Sequence, residues 1–562
     1  MRHILQIFKN CVLFFVFGNL MTKIEKILVL FILLLSAVAA SVAAYFYDIP
    51  CRDVAARYAP MADAFARGDF AYAFHPRSQW LCTVIAGVIS AVSGCSGFTA
   101  LKIQSLLFYV AGGWLTYLLM FRLFPLRKTA LYSLLFYVFS PYTFHMAYSG
   151  LRESAKTFAL LLMAYSLVRI WQERQRYTGY ILLGASVALA VNIRGDLIAQ
   201  SLIFLLMAGI LEFRSRNFAW KTLLPISFAA VFFLPGAIIN DRVCSVAFND
   251  LRWAKFFKQI SGHYPQLGET LLLVLLLFPL VIFSAWLMEK ISRKIKPELW
   301  IAAFVLLVAG SSFYFALFGV EAWNTLSGWE FLKTVVKGFY FAFAPMALLG
   351  IIWRIYNKKF TTGELLLLAV ILINAGLNIL QIQLYYKNLY LSSRYLYSAV
   401  PLELGWVVVF VAAVYDLLLK YTGKAVTYTV LVVFCTVVPY FLAYHMTQPL
   451  RRAYFYRKYS SVNNCMRNIV RQIRQSYHGK RFGKRNIIPE YYTVNNLPLI
   501  YFSNGDGRIT SLAYLTGGQN HNHMKNADYL VVTRQNGVKY SGYRLIYSEN
   551  CYRGEVELWK RK

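Results

Sequence analysis

The chain contains 562 residues, of which 58% are hydrophobic and only 15% are charged, and its mean hydropathy is +0.49. Because soluble domains carry about 25% charged residues, this composition excludes a disordered chain and disfavours an ordinary soluble enzyme, and the surplus apolar residues are expected to face lipid. The net charge of +33 would indicate nucleic-acid binding in a soluble protein, but membrane proteins collect basic residues in cytoplasmic loops, so we expect no nucleic-acid partner.

The N-terminal segment 1–26 is predicted to be cytoplasmic or interfacial. Residues 1–20 are apolar but are interrupted by Lys9 and Asn10, which leaves too short a run to cross a hydrocarbon core about 30 Å thick. Met21 is a second candidate for the start of translation, and two lysines after it precede a long apolar run. This run has no convincing cleavage motif for a removable signal peptide. Translation from Met21 and an interfacial helix over 1–20 both fit this pattern.

Residues 27–446 are predicted to form a transmembrane domain of about thirteen helices, counted with a hydropathy window of about 19 residues. An apolar segment at 78–93 is too short to span and is predicted to lie near the interface. The predicted spans cover residues 27–46, 99–121, 129–147, 156–172, 178–193, 197–213, 221–239, 269–288, 299–319, 336–353, 364–383, 396–415 and 425–445.

The distribution of lysine and arginine predicts which loops are cytoplasmic. With the N-terminus inside, every predicted cytoplasmic connection is basic. The loop 47–98 and the tail 447–562 then lie outside the cytoplasm. The basic segment 451–485 opposes this orientation, but long translocated domains largely escape the rule.

The tail 447–562 is predicted to be a separate soluble domain of α/β type. Residues 462–476 have helical spacing, and short β-like runs follow at 497–503, 527–534, 543–549 and 556–561. The cysteines show no CxxC spacing, which disfavours structural zinc. In an oxidising compartment Cys465 and Cys551 are a hypothetical disulfide pair in this domain, although spacing alone does not fix the partners.

The first outer loop concentrates acidic and basic side chains immediately after the first span. Apolar residues at helical spacing predict a helix over 53–67 that lies on the membrane. Asp53 then stands at the start of this helix. Two roles fit that position: an N-cap, which aspartate favours, and a carboxylate available for proton transfer at the membrane surface.

The first outer loop carries a recognisable set of residues, namely Arg52-Asp53, Tyr58, Ala62, Gly68-Asp69-Phe70 and Phe74-His75-Pro76. With these residues it resembles the first loop of the GT-C superfamily of glycosyltransferases. The closest resemblance is to the bacterial family 39-like members, akin to protein O-mannosyltransferases and lipid A aminoarabinose transferases, and it extends over most of the chain. The resemblance implies an all-α polytopic protein of the plasma (inner) membrane, with a small C-terminal α/β domain outside the cytoplasm.

The resemblance implies an inverting transfer of a sugar from a polyprenyl-phosphate donor to an envelope acceptor, either a lipid, a glycan or a protein, on the outer face. Asp53 matches the loop-one aspartate that acts as general base or orients the acceptor. Glu153, in the next outer loop beside Arg152, matches a second acidic position. Alternatively, Glu153 is a carboxylate favoured by the dipole at a helix start.

The donor phosphate is expected to contact basic residues, since arginine binds phosphate bidentately. Arg394-Tyr395 resembles an Arg-Tyr pair of the family, with Lys387 one turn earlier, and Arg194 is a further candidate. Aminoarabinose transferases carry Lys-Pro after the loop-one helix, where this chain has His75-Pro76 followed by Arg77. Either His75 or Arg77 is expected to take the place of that lysine. Because of this difference, we do not infer that the chain uses the same donor sugar as the aminoarabinose transferases. Arg52, Tyr58, Arg152 and Tyr395 are expected to support the site.

No metal site is predicted, because Asp53 and Glu153 supply too few ligands, although the resemblance leaves a divalent cation (Mg or Mn) open. Membrane lipids are expected partners. Two other functions compete with glycosyl transfer: a lipid-linked saccharide transporter or flippase, and a non-catalytic envelope scaffold that uses the basic segment 451–485. A transporter is expected to show repeated halves, and none is evident in the sequence.

Overall fold

The structure is a computed structural model, mostly helical, with a small sheet near the C-terminus. It describes residues 23–47, 50–51, 53–74, 80–124, 126–173, 177–194, 196–212, 336–337, 339–385, 393–421, five residues between 426 and 444, 460–476, 512–515, 529–533, 540–551 and 554–562. The predicted spans at 221–239, 269–288 and 299–319, and most of 425–445, lie outside these residues, so the count of thirteen stays a prediction.

The helices before residue 213 follow the predicted spans closely, with one break. They are α1 (Lys23–Phe46), a π-helical turn (Val54–Tyr58), α2 (Ala59–Ala66), α3 (Phe70–Ala73), α4 (Trp80–Ser93), α5 (Gly97–Leu123), α6 (Arg127–Phe139), α7 (Pro141–Tyr148), α8 (Glu153–Gln172), α9 (Thr178–Ile193) and α10 (Asp196–Glu212).

The helices after residue 335 are α11 (Phe343–Tyr356), α12 (Thr362–Tyr385), a 3-10 helix (Ser393–Ala399) that continues into α13 (400–421), and α14 (Ser460–Ser476). Three described helices are long and apolar enough to cross a membrane, namely Ile24–Phe46, Gly97–Leu123 and Tyr395–Tyr421. Several others are apolar but shorter. The predicted juxtamembrane segment 78–93 contains helix α4 from Trp80 onwards, and its place near the interface stays a prediction.

Two predicted spans are wrong as single straight helices. The span at 129–147 is divided into α6 and α7 at Ser140, whose backbone is extended. Pro141 follows, and a residue before proline is driven out of the helical region. The span at 336–353 begins its regular helix only at Phe343, because Tyr340 has a φ of 62°, a left-handed conformation that interrupts a right-handed helix.

Helix α5 is the centre of the bundle and packs against α1, α4, α6, α7 and α8. Glycines at 112 and 113 leave room for the Tyr137 ring of α6. That ring stacks on Tyr109 with centroids 5.2 Å apart, and its hydroxyl donates to the Tyr109 carbonyl at 2.8 Å. The outward side of α1 remains apolar, with Leu34 65% exposed, as expected of a surface that faces lipid.

Two polar contacts fasten the first loop to α5. The Gly97 amide at the start of α5 donates to the Asp63 carboxylate of α2 at 2.5 Å. The Lys102 ammonium donates to the carbonyls of Ala44 and Tyr47 at 2.7 and 2.6 Å. Lysine thereby adds hydrogen bonds at the end of α1, where helical carbonyls lack intrahelical partners, although the Ala44 carbonyl also accepts from the Tyr47 amide at 3.3 Å. These contacts set the path of the chain from α1 into the loop.

A small sheet and α14 form the described part of the tail. The strands β1 (Leu512–Leu515), β2 (Tyr529–Thr533), β3 (Tyr543–Cys551) and β4 (Gly554–Arg561) lie in the order β1-β2-β4-β3, with β1 parallel to β2 and the other pairs antiparallel. The last three strands match predicted runs, whereas β1 was not predicted and the run at 497–503 lies outside the described residues. A separate α/β domain remains a prediction.

Helix α14 covers the predicted helical segment 462–476 and packs against β3. Its Asn468 side chain donates to Glu549 of that strand at 3.1 Å. Cys465, on α14, is disulfide-bonded, and β3 ends at Cys551. The side chain of Cys551 lies outside the described part of the chain, so this pairing stays a prediction.

A valine in place of Gly97 should detach the loop from α5. Any Cβ at this position meets the Ala59 carbonyl and Asp63, and such overpacking costs about 1–3 kcal/mol. We expect the apparent melting temperature of the full chain in detergent to fall by at least about 3 °C. Val92→Ala is the control, since Val92 is 85% exposed, and an equal melting temperature for Gly97→Val and wild type would contradict this account.

Candidate active site

The site begins at a π-helical turn directly after Asp53. The Ala59 amide donates to the Val54 carbonyl, a wider ring than that of an α-helix, and single π turns are frequent at functional sites. Asp53 has helical dihedrals (φ −67°, ψ −35°), and its side chain makes no cap hydrogen bond. The N-cap interpretation of Asp53 is therefore wrong, because a cap residue requires non-helical dihedrals.

Arg152 lies over the aromatic ring of Tyr58. Its guanidinium carbon is 4.0 Å from the ring centroid, within the range of a cation–π contact. Arg152 is only 5% exposed, and its Nε and Nη2 have no hydrogen-bond partner among the described residues. Gly150, with a φ of +72°, allows the tight turn from α7 that brings Arg152 to this position. Buried guanidinium donors of this kind suit an anionic ligand.

Glu153 and Arg194 form an ion pair beside this contact. Arg194 donates from Nη1 to Glu153 Oε1 at 3.3 Å, and their side chains are 18% and 4% exposed. Glu153 is the first residue of α8, and Arg194 follows the last residue of α9. The dipole interpretation of Glu153 holds for its position, but the carboxylate also fixes Arg194.

Tyr58 connects these groups electrostatically. Burial raises the pKa of Tyr58 to about 12. Arg152 and Arg194 act against that rise, while Asp53 and Glu153 add to it. The phenol therefore stays protonated at neutral pH. The four charged side chains all lie near enough to act on one hydroxyl, and the structure thus brings together Asp53, Tyr58, Arg152, Glu153 and Arg194.

Lys156 is a further member that the sequence analysis did not single out. It lies one turn after Glu153 on α8, is 1% exposed, and donates to Asn378 Oδ1 at 3.3 Å and to the Tyr395 carbonyl at 3.4 Å. A lysine within an apolar predicted span is itself a signal of a functional position. It ties α8 to α12 and to the 3-10 helix.

The 3-10 helix completes one side of the site. The Tyr395 ring centroid lies 5.9 Å from the Arg194 guanidinium carbon, within the range of a cation–π contact. The sequence analysis expected Tyr395 to support the site, and that role stays a prediction. Arg394 precedes Tyr395 in the same helix. The side chain of Arg394 and the residues Lys387, His75, Arg77 and Arg52 lie outside the described part of the chain.

Helix α4 reaches the same region through Trp80. The indole Nε1 of Trp80 donates to Asn192 Oδ1 at 2.7 Å, and Asn192 is 4% exposed near the end of α9. Trp80 directly follows the segment that carries His75 and Arg77. The described ends of α4, α8, α9 and the loop from α1 therefore meet at one end of the bundle, called the loop end below.

The described residues contain no group of three or more His, Cys, Asp or Glu side chains that could hold a metal ion. What the site offers is one carboxylate near the partly buried Tyr58 phenol, a second carboxylate paired with arginine, and an arginine whose Nε and Nη2 have no hydrogen-bond partner among the described residues. This combination can accept a proton and bind an anion within a small space.

Comparison with known proteins gives one family match. The family model of dolichyl-phosphate-mannose-protein mannosyltransferase matches residues 76–239. The matched segment includes Arg152, Glu153, Lys156 and Arg194 and begins after Asp53. No curated protein sequence matches the chain at a significant level.

Solved structures share the fold at low sequence identity. The oligosaccharyltransferase of Archaeoglobus fulgidus in the apo form is 11% identical, with a TM-score of 0.51 over 91% of this chain and 70% of that chain. ArnT from Cupriavidus metallidurans bound to undecaprenyl phosphate is 12% identical, with a TM-score of 0.37 over 94% of this chain and 97% of that chain. The shared fold rests on the first of these two structures.

The effects of Glu153 and Arg194 on the free energy of unfolding should depend on each other. Arg194→Met removes one cationic partner of a buried carboxylate, and breaking a buried ion pair costs up to about 3–5 kcal/mol. The double variant Arg194→Met/Glu153→Met removes both charges and should recover much of that loss. Thermal unfolding of the full chain in detergent, arranged as a double-mutant cycle, measures the coupling.

The control cycle uses Arg127 and Glu25, which are 3.3 Å apart with Arg127 53% exposed. An exposed pair of this kind is worth less than about 1 kcal/mol. Equal coupling energies in the two cycles would contradict the assignment of a buried, structurally important pair at the site.

Proposed function

We propose that the chain is an inverting glycosyltransferase of the GT-C superfamily, which moves a sugar from a polyprenyl-phosphate donor to an envelope acceptor at the outer face of the membrane. The family match over residues 76–239 and the shared fold support this proposal. The observation that carries the proposal is the meeting of Asp53, Arg152 and the Glu153–Arg194 pair around Tyr58. Such a transfer requires a carboxylate that acts as a base and, beside it, cationic groups that bind the phosphate.

Asp53 is the base in this mechanism. Its carboxylate accepts the proton of the acceptor hydroxyl or amine as the acceptor oxygen or nitrogen attacks the anomeric carbon of the sugar. The bond from that carbon to the phosphate oxygen breaks, and its electron pair stays on the phosphate. The nucleophile approaches opposite the leaving group, so the configuration at the anomeric carbon inverts.

Two arginines stabilise the leaving phosphate. Arg152 presents two buried nitrogen atoms that have no partner among the described residues, and it is held in place by the Tyr58 ring. Arg194 is oriented by Glu153 on one side and faces Tyr395 on the other. A phosphate is already a good leaving group, so it needs positive charge more than a proton donor.

The lipid-linked nature of the donor is supported by two features. The matching family is named for dolichyl-phosphate-mannose, in which the sugar is attached to a polyprenyl-type lipid through phosphate. The site also lies where apolar helices end, so a lipid tail can remain in the membrane while its phosphate reaches the arginines. The residues His75, Arg77, Lys387 and Arg394 are proposed as further phosphate contacts.

Asp53→Asn should abolish transfer and leave donor binding intact. Loss of a general base typically lowers the rate by about 10²–10⁴-fold, and we expect kcat to fall by at least about 100-fold with KM for the donor little changed. The assay follows radiolabelled sugars from a panel of polyprenyl-phosphate donors into cell-envelope fractions at matched protein levels.

Asp69→Asn is the matched control, since Asp69 is an exposed carboxylate of the same loop. It should retain the activity of wild type. Unchanged transfer in Asp53→Asn would remove Asp53 as the base, and export of an intact lipid-linked saccharide in both variants would favour the transporter function instead.

Arg152→Met should weaken binding of the lipid phosphate. Hydrogen bonds to charged groups contribute about 1.5–3 kcal/mol, so the Kd for polyprenyl phosphate should rise at least about tenfold, and Arg152→Lys should recover only part of the loss because lysine lacks the planar fork. Arg67→Met, at an exposed arginine of the same loop, is the control. Equal affinities for Arg152→Met and Arg67→Met would contradict this role.

A further inference from the structure

A second cluster of charges lies at the opposite end of the bundle from the candidate active site. Helix α8 has 20 residues, which at 1.5 Å per residue separates its two ends by about 30 Å. Glu153 starts this helix at the loop end. At its other end, Glu173 accepts hydrogen bonds from Arg122 and Arg169 at 2.8 and 2.7 Å.

An open cavity of about 760 Å³ lies at this second end. Its wall comes from the end of α5, the start of α6 and the connection from α11 to α12. Five of the eleven lining residues are basic and none is acidic, while the others are apolar or aromatic except for one threonine. The lining residues are Phe121, Arg122, Leu123, Phe124, Leu126, Arg127, Arg354, Lys358, Lys359, Phe360 and Thr361. We call it the basic cavity.

The floor of the basic cavity is rigid. Arg354 is 8% exposed and donates twice to Glu364, at 3.0 and 2.8 Å. The Glu364 carboxylate also accepts from Thr361 and from the Trp406 indole. Thr361 and Glu364 form a capping box at the start of α12. Glu364 is therefore saturated and does not project into the cavity.

The rim of the cavity holds two exposed lysines in a strained turn. The amides of Lys358 and Lys359 donate to the carbonyls of Ile355 and Arg354 at 3.0 and 2.9 Å, the hydrogen-bond pattern of a Schellman motif. Lys358 has a φ of 55°, at the position where glycine is usual. Glycine would adopt this left-handed conformation with less strain than lysine. The lysine side chain therefore does not favour the turn, and what it adds to the rim is its positive charge.

The charge at the rim is not neutralised by the described carboxylates. Arg122 pairs with Glu173, Arg127 with Glu25 and Arg354 with Glu364. Within the described part of the chain, no carboxylate lies within ion-pair distance of Lys358 or Lys359. The cavity therefore offers concentrated positive charge at its rim.

Apolar surface continues directly from the charged rim. Leu126, which lines the cavity, is 66% exposed, and Tyr356 and Ile355 beside the lysines are 81% and 55% exposed. A free anion gains nothing from contact with such an apolar surface. An anionic amphiphile, in contrast, can pack its chain on the apolar part and bind its headgroup to the lysines. Basic pockets between helices bind anionic lipid headgroups in this way.

We propose that the basic cavity binds the phosphate headgroup of an anionic phospholipid from the leaflet opposite to the candidate active site. Lys358 and Lys359 contact the phosphate at the rim, and Arg354 and Arg127 face it from the wall. The acyl chains lie along Leu126 and the exposed side of α11. The site is distinct from the one assigned to glycosyl transfer and does not depend on that activity.

The test uses the full chain in a neutral detergent, with thermal unfolding and native mass spectrometry as two readouts. Dioleoylphosphatidylglycerol should raise the melting temperature and remain bound in the mass spectrum. Dioleoylphosphatidylcholine has the same acyl chains without net charge and should do neither. Inorganic phosphate alone should give no more than a small shift. An equal shift from inorganic phosphate, or from the neutral lipid, would overturn the proposal.

Lys358→Gln/Lys359→Gln should lower the affinity for phosphatidylglycerol at least about tenfold, because each basic residue near an anionic surface contributes measurably to binding. Lys128→Gln/Lys420→Gln is the matched control. It removes the same charge from two exposed lysines that do not line the cavity, and it should bind as wild type does. An equal loss in both variants would show nonspecific attraction to surface charge and would overturn the proposal.

Lys358→Gly separates lipid binding from folding. Glycine relieves the left-handed conformation at this position, so the lipid-free protein should melt at or above the temperature of wild type. The lipid-induced shift should nevertheless become smaller, because one rim charge is lost. A lipid-induced shift equal to that of wild type in this variant would contradict a headgroup contact at Lys358.

Discussion

A charge that leaves water inside an apolar bundle must find a partner, because the cost of burying it alone is several kcal/mol. The structure of this protein depends on that constraint. Glu153 and Lys156 are buried on α8, and their partners Arg194, Asn378 and Tyr395 come from α9, α12 and the 3-10 helix. Satisfying two charges on one helix therefore draws three other elements to its loop end.

The same constraint explains why the candidate site is preorganised. Arg152 is fixed by the Tyr58 ring, and Arg194 is fixed by Glu153 before any substrate arrives. Positive groups held in place by the fold need little rearrangement when charge develops on a leaving phosphate. Asp53 reaches this cluster because Lys102 and Asp63 anchor the chain on either side of it.

The two ends of the bundle carry different charge patterns. At the loop end, acids and bases alternate around a phenol, which suits proton transfer next to an anion. At the other end, the lining of the basic cavity contains no acid among the described residues, which suits binding without chemistry. Helices α5 and α8 extend between the two ends. The difference in charge pattern is thus carried by the two ends of single helices rather than by separate domains.

Hydropathy predicted most described helices to within a few residues, since apolar runs of this length have few alternatives in lipid. It missed the break at Ser140, although Pro141 signals it in the sequence, and it missed the break at Tyr340, which depends on the left-handed conformation of one residue. The loop helix was predicted, but the sequence alone did not show that Asp53 has helical dihedrals and makes no cap hydrogen bond, and its role as a base stays a prediction. The resemblance directed attention to Arg152 and Glu153, whereas Arg194 was a separate candidate for phosphate contact.

The sequence did not predict which distant residues contact each other in the fold. Spacing says nothing about which arginine meets Glu153, because the two partners are 41 residues apart. Lys156 was included in a predicted span and treated as part of an apolar helix, although a lysine there is costly and so informative. The basic cavity combines loops that are more than two hundred residues apart, from Arg122 to Lys359, and only the fold brings them together.

The central claim is that the arginines at the loop end bind a lipid-linked phosphate beside Asp53. An experimental structure of the full chain in lipid nanodiscs, determined with and without added polyprenyl phosphate, tests it most directly. The account predicts new density for a phosphate within hydrogen-bond distance of Arg152 and Arg194, with the lipid tail leading into the membrane. Density confined to the basic cavity, or a loop end that stays unchanged at saturating ligand, would contradict it.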